Sequence, residues 1–215
     1  MRDIFQVVRD GDIELLSQAI EAGKNENAIK RMKTKALMCA AYSGRVDVAQ
    51  WLVEQGTDVN ATDKDGETAL MKAAASSHRE FLQELASNGA NVKVPGGNDE
   101  ADIVQWLVEH GADVNAADKN GETAVMKAAK AGKSDIMKML AARGANMNAT
   151  AKKGETLLMY AVERDKPEIV KWLVEEMHAL PDAKDRRGET ALLKAAQRNA
   201  SNVVRWLCLL YTSPS

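Results

Sequence analysis

Gly66-Glu67-Thr68-Ala69-Leu70-Met71-Lys72-Ala73-Ala74 returns as GETAVMKAA at 121–129, GETLLMYAV at 154–162 and GETALLKAA at 188–196, and a degenerate form, KTKALMCAA, precedes it at 33–41. Ala36 to Ala69 is 33 residues, Ala124 to Leu157 is 33, and Leu157 to Ala191 is 34. A fixed period near 33 marks a chain built from copies of one supersecondary unit. Each copy buries its apolar side only against its neighbours, so a stacked solenoid is expected rather than a closed globule.

The copy at 118–150 shows how one unit folds. Asp118-Lys119-Asn120-Gly121 reads as a tight turn in which Gly121 takes a positive φ. Thr123 is placed to cap a helix over about 124–131. Ala128 and Ala129 keep that helix slim, so neighbouring copies approach closely. Gly132 ends it, and a second helix follows over about 134–143 with Ile136, Met137, Met139 and Leu140 in an apolar stripe. Gly144 then acts as a stop. The second helix recurs as VDVAQWLVEQG (46–56), ADIVQWLVEHG (101–111) and PEIVKWLVEEM (167–177), with Asn-containing exits such as TDVNA and ADVNA. The expected fold class is all-α, helix-turn-helix repeats joined by projecting turn fingers.

Asp-x-x-Gly-x-Thr, the Ala-Ala pair, the Ile-Val-x-x-Leu helix and Gly-Ala-Asp-Val-Asn together resemble the ankyrin repeat family over nearly the whole chain. The resemblance implies antiparallel helix pairs stacked side by side, β-turn fingers at right angles to them, and a concave face that binds other proteins. Where the family usually carries Thr-Pro-Leu-His, this chain has Thr-Ala-Leu-Met, Thr-Ala-Val-Met, Thr-Leu-Leu-Met and Thr-Ala-Leu-Leu. Met or Leu packing is therefore expected where the family buries a histidine.

The repeats are expected at about 1–29, 30–62, 63–95, 96–117, 118–150, 151–184 and 185–207, forming one domain over 1–207. Ala69 to Ala124 is 55 residues, 22 more than one period. One copy, 96–117, is thus expected to have lost 11 residues and with them its first helix. The turn-rich Val94-Pro95-Gly96-Gly97-Asn98-Asp99 stands in its place, opening a kink or seam beside a lone helix near 100–110. At the C-terminus, Asn202 to Leu207 follows the register of Glu168 to Leu173 and then departs from it. CLLYTSPS, 208–215, resembles the translation of a sequencing-library adapter and is expected to be a non-native tail.

The balance of Lys+Arg 29 against Asp+Glu 31 leaves a net charge of −2, so no global field favours nucleic acid or an anionic membrane. Cys39 and Cys208 form no metal-ligand spacing and no disulfide framework. The opening MRDIFQVVRDGDIE interrupts every short apolar run with charge, so neither a signal peptide nor a membrane span is expected. A cytoplasmic location is expected, and a nuclear one is compatible.

The sequence contains no recognisable catalytic, cofactor-binding or metal-ligating set, so an enzyme with a small-molecule substrate is not expected. Gly132-Lys133-Ser134 matches the end of a phosphate-binding loop, but Lys127 stands where that loop needs a glycine. His78, His110 and His178 lie in different repeats at no ligand spacing. Cys39 takes a position held elsewhere by Lys72, Lys127 and Lys194, and is expected to be partly exposed. Glu67, Glu122, Glu155 and Glu189 recur once per repeat, a surface ladder rather than converging acids. Trp51, Trp106, Trp172 and Trp206 are equivalent and expected to pack between repeats, with partner anchoring by their edges as the alternative.

By the resemblance, partner contacts fall on the finger tips and the exposed face of the first helices. The residues expected to bind are Lys119, Asn120, Lys152 and Lys153, then Tyr160, Glu163 and Arg164, then Arg186, Arg187, Lys194 and Arg198. Tyr160 is expected as an exposed aromatic anchor, with Lys153, Arg164, Arg187 and Arg198 pairing with carboxylates of an acidic protein segment. The expected function is a non-enzymatic protein-interaction scaffold. The alternative is a targeting or regulatory arm of a longer enzyme or channel whose catalytic domain lies past Leu207. Nucleic-acid binding through the basic fingers ranks below both, because aromatic residues are few and the net charge is negative.

Overall fold

A computed structural model describes residues 4–23, 25–76 and 100–212. Among them are twelve α-helices and no strand beyond isolated bridges, an all-helical repeat fold. The helices are α1 (Ile4–Asp10), α2 (Ile13–Glu21), α3 (Glu26–Tyr42), α4 (Val46–Glu54), α5 (Ala69–Ala75), α6 (Glu100–Glu109), α7 (Ala124–Ala131), α8 (Ser134–Ala142), α9 (Leu157–Ala161), α10 (Pro167–Glu175), α11 (Ala191–Gln197) and α12 (Ser201–Thr212). A 3₁₀ turn, Val162–Arg164, extends α9. The chain divides into two compact units, Met1–Ala116 and Ala117–Ser215.

In the first unit α1 packs on α2 and α3, α3 on α4 and α5, and α5 on α6. In the second, α7 pairs with α8, α9 lies against both α7 and α11, and α11 pairs with α12. The alanines explain the close stacking: Ala73, Ala74, Ala128 and Ala129 are fully buried and present no bulk between neighbouring helices. Larger side chains fill what remains, with Leu52, Leu70, Ile103 and Leu107 buried in one unit and Met137, Leu140, Leu157 and Leu158 in the other. The positions where a histidine was expected to be replaced by packing hold buried Met71, Met126 and Met159. Leu193, the equivalent in α11, is 46% exposed.

Three of the fingers are each folded by one aspartate. Asp63 Oδ1 accepts the amides of Asp65 and Glu67, Asp118 Oδ1 those of Asn120 and Glu122, and Asp185 Oδ1 those of Arg187 and Glu189. Short antiparallel bridges close the turns at Thr62–Thr68, Ala117–Thr123 and Thr150–Thr156. Thr68, Thr156 and Thr190 then accept an amide of the helix they open, at 3.3–3.4 Å. Thr123 has the same extended backbone but makes no such bond, and its hydroxyl is buried without a partner, so the cap expected there is not formed.

The repeat at 30–62 breaks the pattern. Lys30 stands where Asp63 would fold the turn, Lys33 where Gly66 would take its positive φ, and Lys35 where Thr68 would cap. With none of the three finger-forming groups present, the chain stays helical from the Asn25 cap to Tyr42, and α3 is 17 residues long where the other first helices span five to eight. The projecting finger expected between the first two repeats is replaced by about three extra turns of helix.

Residues 77–99, which include His78 and the turn-rich Val94–Asp99, lie outside the described residues. Helix α6 packs on α5 as α4 packs on α3, and Asn60 spans from the preceding exit, donating to the Gly111 carbonyl at 3.0 Å and accepting the Asp113 amide at 2.8 Å. Beyond Leu207, α12 continues to Thr212 with Cys208, Leu209 and Leu210 exposed.

The fingers of the second unit touch through their backbones: Lys152 donates its amide to the Asn120 carbonyl at 2.8 Å, and Arg186 to that of Lys153 at 2.9 Å. Gly121 has φ +75, and a Cβ there would lie 2.9 Å from the Lys152 nitrogen. Gly144 has φ +84 with open space around it. Gly144→Ala should therefore cost about 1 kcal/mol from backbone strain alone, and Gly121→Ala about 2–3 kcal/mol because the neighbouring finger must also move. Urea denaturation of the two variants measures the difference; equal losses would contradict the close approach.

Candidate partner-binding surface

The second oxygen of each finger aspartate faces a lysine nine residues on. Lys72 Nζ lies 3.0 Å from Asp63 Oδ2, Lys127 2.8 Å from Asp118 Oδ2, and Lys194 2.9 Å from Asp185 Oδ2. The repeat glutamate completes each cluster: Glu67 pairs with Lys72, Glu122 with Lys127 at 2.6 Å, and Glu189 with Lys194 at 3.2 Å. Burial opposes ionisation of Asp118, yet the Lys127 ammonium and the amides of Glu122 and Asn120 hold its carboxyl below the ordinary range. At Asp185 the hydrogen bond from Lys194 dominates and acts in the same direction. Burial likewise works against the charge of Lys194, and Asp185 and Glu189 more than restore it, raising its pKa.

The repeat at 151–184 replaces both partners at once, with Ala151 in the aspartate position and Tyr160 in that of the lysine. Tyr160 OH donates within hydrogen-bond distance of two carboxylates, Glu122 Oε1 at 2.8 Å and Glu155 Oε2 at 3.0 Å. Lys194 Nζ reaches back to Glu155 at 3.4 Å. The glutamate ladder expected on the surface is thus cross-linked from repeat to repeat, and Glu122 is buried. Burial drives the Tyr160 phenol far above its ordinary pKa, and Glu122 adds to the effect.

Several expected contact residues must be corrected on this geometry. Tyr160 is 4% exposed and its hydroxyl is taken by Glu122 and Glu155, so it is a strut between repeats and no exposed anchor. Lys194 has a 14% exposed side chain enclosed by three carboxylates. Arg164 is exposed, but its Nε donates to the Lys130 carbonyl at 2.7 Å. Arg198 reaches Glu163 at 3.6 Å, so these two partly neutralise one another. Cys39, expected to be partly exposed, is 6% exposed; its repeat has no finger aspartate to draw a cation outward there.

What stays exposed is the row of finger tips. Lys119 and Asn120, Lys152 and Lys153, and Arg186 and Arg187 all face solvent, and the backbone bonds between successive fingers set them side by side. Five cations therefore line one edge of the second unit, on a rail fixed by hydrogen bonds rather than on independent loops. Sequence alone located this row. It missed the burial of Tyr160, although the paired change to Ala151 carried the signal.

A family model described as ankyrin repeats (3 copies) matches residues 4–95, 96–151 and 143–214. The chain belongs to the ankyrin repeat family. Ankyrin repeats are generally non-catalytic protein-protein interaction modules. A search of curated proteins finds no match. Among the described residues of this ankyrin chain, no helix is long and apolar enough to cross a membrane, and no group of three or more His, Cys, Asp or Glu is placed to hold a metal. His110 accepts no such role: its ring stacks on Trp106 with centroids 4.1 Å apart, and its Nδ1 lies 2.8 Å from the Trp106 carbonyl. All four tryptophans are half-buried.

Tyr160→Phe should lower stability by about 1–2 kcal/mol, because the buried Glu122 carboxylate loses a hydrogen-bond donor. The sign of the pH effect follows from Glu122, whose pKa burial raises but Lys127 and Tyr160 bring below its ordinary 4.5. Its contribution is present above that value and is lost as pH falls through the lowered one. Removing the hydroxyl raises the folded-state value, so acid unfolding of Tyr160→Phe should begin at higher pH than in the parent chain, as circular dichroism between pH 2 and 7 would record.

Proposed function

We propose that the chain is a non-enzymatic interaction scaffold that holds an acidic segment of another protein along the finger tips of its second unit. The observation that carries this reading is the exposed cation row at Lys119, Lys152, Lys153, Arg186 and Arg187, held in register by finger-to-finger backbone bonds. Because the finger backbones are already tied together, binding need not order the loops, and the row favours a partner of complementary charge and spacing. The lysines one layer deeper are already neutralised by aspartate and glutamate, so they support the fingers and leave the tips to make contact. Among the described residues the row brings together no nucleophile with a base and an oxyanion donor, and catalysis is not part of the proposed role.

Reversing Lys152, Lys153, Arg186 and Arg187 to Glu should leave the melting temperature within a few degrees of the parent, since exposed charges contribute little to stability. Quantitative affinity capture followed by mass spectrometry should show partners that bind the parent and lose at least about tenfold in recovery with the reversed variant. Recovery of the same partners by both proteins would overturn the fingertip assignment.

A further inference from the structure

The first unit carries a groove of about 1480 Å³ whose walls are built from the helix that replaces the missing finger. Asn27, Arg31, Thr34 and Met38 recur at three- and four-residue spacing on α3, which sets them along one face of that helix. Phe5 and Arg9 of α1 share the lining with them. Arg9, Lys30, Arg31 and Lys35 are all exposed, and none has a carboxylate within ion-pair distance among the described residues. This differs from Lys72, Lys127 and Lys194, each of which is enclosed by acids. Of the two aspartates in the lining, Asp63 is paired with Lys72, leaving Asp58 as the opposing charge. Two large apolar side chains also reach solvent here, Phe5 at 43% and Tyr42 at 52% exposure.

We propose that this groove is a second docking site, separate from the finger tips, for an acidic protein segment that carries one aromatic or large aliphatic side chain. The four uncompensated cations give it the charge to attract carboxylates, and the apolar contact offered by Phe5, Met38 and Tyr42 gives it an anchor point of the kind that dominates binding energy. Nucleic acid is disfavoured by three features. Lys35 Nζ sits 4.5 Å above the Phe5 ring and occupies a face on which a base would stack. Asp58 adds a carboxylate to the lining, and the whole chain is net negative. The proposal rests on the reading of the chain as an interaction module and adds a second surface with its own chemistry.

The test is selection of random 12-residue displayed peptides against the intact chain, followed by fluorescence anisotropy with the winning peptides. Three variants report: Arg9→Glu with Lys30→Glu and Arg31→Glu, Tyr42→Ala, and the four-residue fingertip reversal described above. Winners should be rich in Asp and Glu and contain an aromatic or large aliphatic residue. Their affinity should fall at least about tenfold in the groove charge variant and severalfold in Tyr42→Ala, with little change in the fingertip variant. Circular dichroism confirms that each variant is folded.

Winners lost only on fingertip reversal would overturn the groove while leaving the scaffold reading intact. Absence of any selected peptide would count against both. Tighter binding of a 12-nucleotide single strand than of any peptide, weakened by the groove charges, would assign the groove to nucleic acid. A concentration-dependent dimer in sedimentation that the groove variant abolishes would assign it to self-association. Either result would overturn the proposal.

Discussion

One carboxylate sets the form of each regular repeat. The finger aspartate uses one oxygen to gather two backbone amides, which fixes the turn, and the other to hold a lysine from the first turns of the helix that follows. The loop and the helix are thereby locked into a single geometry, with the charge of each partner offset by the other. Buried ionic groups that lack such mutual satisfaction are costly, and here the pairing is tight enough that the aspartate stays ionised despite burial at 118 and 185. The chain supplies its own controls for this constraint. Where Lys30 and Cys39 replace both members, the turn is absent and helix runs through. Where Ala151 and Tyr160 replace them, the turn survives because its neighbours grip it through the backbone, and the tyrosine hands its hydroxyl to glutamates of two repeats.

The sequence made the repeat, the two helices and the fingers legible because each leaves a local mark: a positive-φ glycine, alanines on the packed face, an apolar stripe of helical period. The bounds of α7 and α8 differ from the expected spans by at most one residue. The run-through of α3 was also written locally, in the loss of aspartate, glycine and threonine at 30, 33 and 35, but the persistence of the following apolar pattern masked it. Burial of Tyr160 was harder to see. Its exposure depends on Glu122, 38 positions away, and an aromatic on the lysine face reads as an anchor until the distant carboxylate is placed beside it.

Charge is distributed by the same logic. Cations that belong to the finger lock are enclosed by carboxylates, while those at the tips and on the extended helix are exposed to water. Counting lysines and arginines along the sequence could not separate these two populations, since both lie within a few residues of one another. Geometry separates them by whether a carboxylate stands within reach, and this is why two distinct surfaces in two units come forward as contact regions.

The repeats of the second unit also finish one another's helices. Arg164 and Lys166 donate to the carbonyls of Lys130 and Gly132 at the end of α7, and Asp165, held at φ +49, accepts the amides of Asn202 and Val203 at the start of α12. A helix terminus normally frays because its last groups must turn to water; here the neighbouring hairpin supplies those partners. The amides of Asn202 and Val203 would therefore exchange more slowly than the first amides of an isolated helix, which have only water as acceptor.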